Sequence, residues 1–293
     1  MKHLKHSSNL FSLCDNLIQK KGLRPDAIVT GFEIFDADFG GLSCGELTII
    51  AGRPGMGKTS FALDLALNVS ANQPVLYFTF NLSPTTIASK ILSVKTGISA
   101  HCIAENAVEI SETTILKEAN EALKNNSFFI SEEGVSNPKK VKKIIKDHFL
   151  INQVKLVIID DVKLFGKKVP KSVKGENNEC LFMELKRLAK KLNIAIVILS
   201  QLGRSVEKRS HDGFPQLRDL SGARQLEQIA DKVLFLYRPS YYAIDTYANG
   251  YSSKNILEVI VAKNKADKIG SCFFERTKSN THFKSLDSKL FWL

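Results

Sequence analysis

The stretch LTIIAGRPGMGKTSFALDLALN, residues 47–68, decides how the rest of the chain is read. LTIIA (47–51) is an apolar run of strand length, and SFALDLALN (60–68) has helical character. Between them GRPGMGKT (52–59) fits G-x-x-x-x-G-K-[ST], in the strand–loop–helix setting that gives the pattern its meaning. Glycines let backbone N–H groups turn inward around phosphates, and the start of a helix adds positive potential. The motif predicts a nucleoside triphosphate held by Gly52, Arg53, Pro54, Gly55, Met56, Gly57, Lys58, Thr59 and Ser60. Lys58 is expected to reach the β- and γ-phosphates, and Thr59 to ligate magnesium.

Such a loop needs a second magnesium partner. Asp160, in LVIIDD (156–161), ends an apolar strand, where a carboxylate is costly unless it meets a cation. IAIVILSQL (194–202) is another apolar strand ending in polar groups, which puts Gln201 within reach of the γ-phosphate or its attacking water. VLYFTFNLS (75–83) reads as a buried strand, Val75 to Phe80, that ends on Asn81. The end of that strand suits a carboxylate that activates water, and here it carries an amide. Asp161, directly after Asp160, has two readings: a substitute base, or a loop residue pointing away.

Further strands are expected at FFIS (128–131), KVLFLY (232–237) and ILEVIVAK (256–263). Most of these runs are continuously apolar rather than alternating, as in parallel strands covered on both faces. Helical segments fill the gaps at 58–70, 84–95, 104–125, 138–150 and 177–192, with Ser83-Pro84 and Asn137-Pro138 as cap and first-turn pairs. The pattern predicts an α/β fold with an open, mostly parallel twisted sheet flanked by helices. ILEVIVAK, NKADKI and GSCFFERT predict an antiparallel hairpin at its C-terminal edge. Ahead of the main body, residues 8–21 have the spacing of a short amphipathic helix. The expected division is 1–27 for this helix and a connector, and 28–293 for the globular domain.

The bulk composition narrows the class. Against 30 Asp and Glu stand 41 Lys and Arg, a formal charge of +11 that favours an acidic partner such as nucleic acid or a membrane surface. The five cysteines are widely spaced without a C-x-x-C pair, so neither a disulfide framework nor a zinc site is expected, and a reducing cytoplasm fits. The basic N-terminus lacks the apolar core of a signal peptide, and no stretch is long and apolar enough for a membrane span.

Together these residues resemble the ATPase domain of the DnaB-like replicative helicases, in the RecA-like class, from about Thr30 to Phe283. The resemblance is carried, in family order, by TGFEIFDADFGGLSCGELTIIAGRPGMGKTSFALDLALN, FTFNLS, LVIIDDVKLF, ELKRLAKKLNIAIVILSQLGRSVEKR, LRDLSGARQLEQIADKVLFLYR and VIVAKNKADKIG. It implies a RecA-like P-loop ATPase that uses ATP and Mg2+. It also implies a homo-oligomeric, hexameric ring with ATP sites between subunits and single-stranded DNA in the channel. The implied activity is that of an ATP-dependent DNA helicase or translocase in replication, and the compact form points to a plasmid, phage or other mobile element. The family's N-terminal domain has no counterpart; residues 8–21 resemble its linker helix, which either docks on a neighbouring subunit or packs on its own domain.

Three departures open an alternative. Asn81 stands where the family has a catalytic glutamate. Asp161 and Lys163 replace its usual tyrosine and glutamine. Lys263 and Lys265 occupy the positions of a lysine and of an arginine finger that enters the neighbouring subunit's site. Lysine neutralises a phosphate but cannot make arginine's planar bidentate contact. The alternative is therefore an ATP-binding homologue with weakened or lost hydrolysis, acting as a loader, regulator or scaffold on DNA or on a full-length helicase.

The resemblance places DNA contacts after the Ser-Gln strand, in GRSVEKRSHDGFPQLRDLSGAR (203–224), at Arg204, Lys208, Arg209, Arg218 and Arg224. A second basic loop carries Lys163, Lys167, Lys168, Lys171 and Lys174. The lysines of 138–150 read as a solvated face opposite a stripe of Val141, Ile144, Ile145 and Phe149.

Overall fold

Apolar runs flanked by polar turns set the strands, and their pairing sets where the loops emerge. A computed structural model describes residues 27–80, 82–132, 138–160, 177–209, 212–220, 223–265, 268–277 and 281–291. A small antiparallel pair, β1 (Ala27–Ile28) and β2 (Leu42–Ser43), leads into the main sheet. That sheet contains β3 (Leu47–Gly52), β4 (Val75–Thr79), β5 (Phe128–Ser131), β6 (Leu156–Asp160) and β7 (Ala195–Gln201). It is completed by β8 (Lys232–Tyr237), β9 (Ile256–Asn264), β10 (Gly270–Arg276) and β11 (Phe283–Leu286). The order across it is β11-β10-β9-β8-β3-β7-β6-β4-β5.

From β8 to β5 every neighbouring pair is parallel, and from β8 to β11 every pair is antiparallel. The expected hairpin is thus part of a wider antiparallel edge. The parallel strands are apolar throughout because both faces are covered. Leu47, Ile49 and Ala51 enter one core while Ile50 enters the other. Leu76 and Phe78 likewise oppose Val75 and Tyr77. Helix Lys58–Ser70 covers one face with Phe61, Leu65 and Val69, and helices Pro138–Asn152 and Asn177–Leu192 cover the other with Val141, Ile145, Leu185 and Ala189.

Helix Pro84–Thr96 starts as its sequence predicts: Ser83 accepts a hydrogen bond from the Thr86 N–H, and Pro84 occupies the first turn. The helix expected over 104–125 is instead two, Ala100–Ala104 and Ile110–Leu123. Asn106 takes the left-handed conformation (φ 54°) and ends the first. Glu109 and Glu112 form a reciprocal cap that starts the second. Neither glycine nor proline marks this break, so composition hides it. The helix Glu33–Phe39 has no side-chain cap at Phe32, and its one local signal is the stop at Gly40, which is left-handed (φ 72°). Tertiary bonds hold it: Lys232 Nζ donates to Phe39 O at 2.8 Å and to Gly41 O at 2.5 Å. The expected helix at 8–21 and the basic loop with Lys163, Lys167, Lys168, Lys171 and Lys174 lie outside the described residues.

Candidate nucleotide site

The loop between β3 and helix Lys58–Ser70 turns through left-handed backbone at Gly55 (φ 81°) and Gly57 (φ 92°), where a side chain would be strained. Gly52 is set by a close approach, since a Cβ there would come 3.0 Å from Leu236 O. Met56 is buried and anchors the loop, while Pro54 and Gly55 are exposed at its tip. Lys58 bends back across the turn, donating to Gly52 O at 2.9 Å and Arg53 O at 3.0 Å. Thr59 and Ser60 lie in the first helical turn. The side chain of Arg53 points away from the loop, with Nε 2.9 Å and Nη2 2.8 Å from Glu207 and Nη1 donating to Leu202 O at 2.9 Å. Of the nine loop residues expected to contact phosphate, Arg53 therefore offers its backbone.

Sheet pairing brings the other expected groups beside this loop. Gln201 is the register partner of Gly52, and the Leu202 N–H donates to Gly52 O. Asp160 ends β6, next to β7, and is buried. Tyr77 donates its hydroxyl proton to Asp160 Oδ2 at 2.8 Å and fixes the carboxylate's rotation. Burial, then the charge and hydrogen bond of Asp160, push the Tyr77 pKa well above its ordinary value, so the phenol remains a donor. Thr59 and Asp160 carry the hydroxyl and carboxylate oxygens that a hard divalent cation takes. Among the described residues no group of three or more His, Cys, Asp or Glu is placed to hold a metal by itself. Asn81 and Asp161 lie outside the described residues, although Thr79 at the end of β4 pairs with Asp160.

A cleft of about 520 Å³ opens between loop residues 55–60 and two arginines that sequence reasoning missed, Arg238 and Arg276. Arg238 follows β8 and donates from Nη1 to Gly55 O at 3.1 Å; Arg276 ends β10. The available signal was the one that found Asp160: a charged residue closing an apolar strand.

Lys263 and Lys265 sit at the other end of the sheet. Lys263 pairs with Val233, which pairs with Ile49, and the Lys265 N–H donates to Asp231, whose own N–H donates to Leu47 O. The loop begins at Gly52, so at ~3.3 Å per residue about 10 Å of strand lies between it and the level of Lys263, and about 17 Å between it and the level of Lys265. Lys263 Nζ donates to Glu227 O at 2.5 Å and Ala230 O at 2.7 Å, closing the C-terminus of helix Ala223–Ile229. Lys265 is largely exposed, with Nζ 3.5 Å from Asp231 Oδ1. Asp231 also accepts from Lys186 Nζ at 2.8 Å and the Leu47 N–H at 3.1 Å. Burial works to raise its pKa, but these partners together hold it below the ordinary carboxylate range.

The expected DNA segment begins where β7 ends. Arg204 is exposed, and helix Ser205–Arg209 is pinned by buried Val206 and by the Glu207–Arg53 ion pair. Arg218 is exposed on the turn Leu217–Asp219. The side chains of Lys208, Arg209 and Arg224 lie outside the described set. Phe214 packs edge-to-face on Tyr237, with centroids 5.3 Å apart, and anchors this segment to β8. On helix Pro138–Asn152, Lys142 pairs with Glu184 at 2.6 Å.

A strand–loop–helix phosphate cradle on a mostly parallel sheet, with polar residues closing the adjacent strands, defines a RecA-like P-loop nucleotide-binding domain. The chain belongs to the family of the DnaB-like helicase C terminal domain, which matches residues 27–285. It is 30% identical over 291 residues to the "Replicative DNA helicase DnaB" of Rickettsia bellii, covering 89% of this chain and 58% of that protein. It is 31% identical over 250 residues to a "Probable plasmid replicative DNA helicase" of Chlamydia psittaci, covering 84% and 53%. The chain thus spans a little over half the length of these relatives. Among solved structures, the ATPase domain of G40P superposes with a TM-score of 0.83 at 27% identity, covering 95% of this chain and 97% of that one. A DnaB-like replicative helicase, described with its interactions with primase, gives 0.82 at 25% identity, covering 96% and 68%.

Proposed function

We propose that this chain is an ATP-dependent DNA helicase or translocase acting in replication, in a plasmid or other mobile element. Its globular domain, taken as 28–293, binds Mg-ATP and assembles with copies of itself into a hexameric ring around single-stranded DNA. The observation that carries this reading is the gathering of Lys58, Thr59, Asp160 and Gln201 at the ends of neighbouring strands. Lys58 and the loop N–H groups hold phosphate, Thr59 and Asp160 hold the metal, and Gln201 orients the attacking water. Magnesium, when bound, neutralises charge on the transferred phosphoryl group. Lys265 stands about a strand's length from its own loop, and Lys263 is turned onto the end of helix Ala223–Ile229, which supports a role for Lys265 in a neighbour's site. The relatives named as plasmid helicases support the replicon.

Asn81 and Lys265 favour a second reading, an ATP-binding partner of a loader or full-length helicase that hydrolyses slowly. An amide orients water but does not take its proton near neutral pH, and a positioned base typically contributes ~100- to 10,000-fold. Steady-state ATP hydrolysis with and without single-stranded DNA separates the two, using wild type, Asn81→Glu, Asp161→Asn and Lys58→Ala. DNA-stimulated turnover above the Lys58→Ala blank supports the translocase. Wild type equal to that blank, with activity appearing in Asn81→Glu, sinks it in favour of the binding partner. Turnover lost in Asp161→Asn assigns the base to Asp161; brisk turnover unaffected by that change removes the assignment.

A further inference from the structure

The P-loop and the segment expected to contact DNA are joined through one side chain. Arg53 is the second residue of the loop, and its guanidinium reaches away from the phosphate cradle. Nε and Nη2 stand 2.9 and 2.8 Å from Glu207 Oε1, and Nη1 donates to Leu202 O at 2.9 Å. Glu207 lies on helix Ser205–Arg209, 154 residues further along the chain. Leu202 is clipped a second time, because its N–H donates to Gly52 O at 3.2 Å. The first two residues of the loop therefore hold both the end of β7 and the helix that follows it.

This junction is closely made. The Arg53 side chain is 11% exposed, so its ion pair is screened less than a fully exposed one. A guanidinium presents its donors in a rigid planar fork, so three bonds to two acceptors fix both acceptors relative to the loop. Aromatic rings brace the same place. Tyr242 stacks on Tyr237 with centroids 5.9 Å apart, and Tyr237 takes the edge of Phe214 from the DNA segment. Tyr241 meets Tyr242 edge-on and stands beside the loop, where a Cβ on Gly55 would lie 3.4 Å from its ring. Burial and then the charge of Glu207 raise the Tyr242 pKa, as expected of a ring packed against the pair.

The loop lysine grips Arg53 from its other side. Lys58 Nζ donates to Arg53 O at 3.0 Å and to Gly52 O at 2.9 Å. An ammonium has three N–H donors and no more, so a phosphate in the loop competes with these carbonyls for Lys58. The residue whose backbone feels that exchange is the one whose side chain holds Glu207.

We propose that Arg53 is a positioning residue that couples nucleotide binding to single-stranded DNA binding, acting through Glu207 and Leu202 O. Its backbone belongs to the phosphate loop, and its side chain serves the DNA segment. A nucleotide that orders the loop also orders the helix bonded to it, so the two ligands favour one another. The inference rests on the function proposed above and deepens it.

The test follows the anisotropy of a fluorescein-labelled oligo-dT strand titrated with the full chain at fixed salt, in Mg2+ alone and in Mg2+ with β,γ-imido-ATP. The ratio of the two dissociation constants is the coupling, and DNA must change the affinity for the analogue by the same factor. Wild type is expected to bind DNA about five-fold or more tightly with the analogue. Glu207→Ala should bring the ratio within about two-fold of one, while its affinity for the analogue without DNA stays near that of wild type. Removing an acidic charge beside DNA strengthens binding in both conditions and cancels in the ratio. Arg53→Ala should lose the same factor, and the double variant no more than either single one, as for two residues acting as a unit. Glu207→Gln keeps the shape and removes the charge; it should lower the ratio by about two-fold or more, and it carries the test if the alanine variants do not fold. A wild-type ratio within about two-fold of one, or a ratio kept in folded Glu207 variants, overturns the coupling and leaves the proposed function intact. A wild type that binds no nucleotide, or no DNA, overturns that function and the coupling with it.

Discussion

Replacing Tyr77 by Phe deletes one oxygen from the centre of the molecule. Tyr77 is fully buried on β4, its ring stacks on Phe128 with centroids 6.1 Å apart, and its hydroxyl donates to Asp160 at 2.8 Å. Phe preserves the ring contact and withdraws only the donor. A hydrogen bond to a charged group contributes about 1.5–3 kcal/mol. For a domain of this size each kcal/mol moves Tm by about 2–4 °C, so the loss should be roughly 3–12 °C. The pH dependence has a definite sign. The folded pKa of Tyr77 is raised well above 10.0, whereas the unfolded chain ionises near 10.0. Above that pH the unfolded state has fewer protons than the folded state, so stability falls as pH rises. Tyr77→Phe should remove this contribution and flatten the alkaline limb. Melting followed by circular dichroism between pH 7 and 11 measures both effects. In an Asp160→Asn background the same substitution should cost about 1 kcal/mol, the value for a neutral pair. An unchanged Tm, or a penalty independent of residue 160, would falsify the coupling of Tyr77 to the candidate metal ligand.

Gly213 adopts φ +60°, and a Cβ there would lie 2.2 Å from the Tyr242 ring, so Gly213→Ala should destabilise by about 1–3 kcal/mol, read as a lower denaturation midpoint. Charge reversal at Arg204, Lys208 and Arg209 should weaken single-stranded DNA binding more than reversal at Lys139, Lys142 and Lys146, with a smaller salt dependence; the opposite ranking moves the DNA site to the lysine helix. Hydrogen bonding to buried Asp64 raises the His282 pKa, and Asp64 also accepts the Phe283 N–H at 2.8 Å, tying β11 to the P-loop helix. The stabilisation from this pair is fully present below pH ~6.5 and is lost as pH rises through the raised value. His282→Gln should therefore show a flatter Tm profile across that interval, and identical profiles would count against the pair.

Local chemistry wrote much of this protein into its sequence. GRPGMGKT between an apolar run and a helix names its own geometry, because glycine takes the left-handed turns at 55 and 57 without the strain of a side chain. Continuous apolar runs announced parallel strands with two covered faces, and Asp160 and Gln201 were legible as polar closures of such runs. Ser83-Pro84 set a helix start within the reach of a few residues. What stayed hidden depends on contacts between distant positions. Helix Glu33–Phe39 is held by Lys232, 193 residues beyond Phe39. The turning of Lys263 onto helix Ala223–Ile229, and of Arg53 onto Glu207, is set by which strands lie side by side. Arg238 and Arg276 face one cleft only because β8, β9 and β10 pair in that order beside β3. Strand order is a property of the assembled sheet, and no local run of residues carries it.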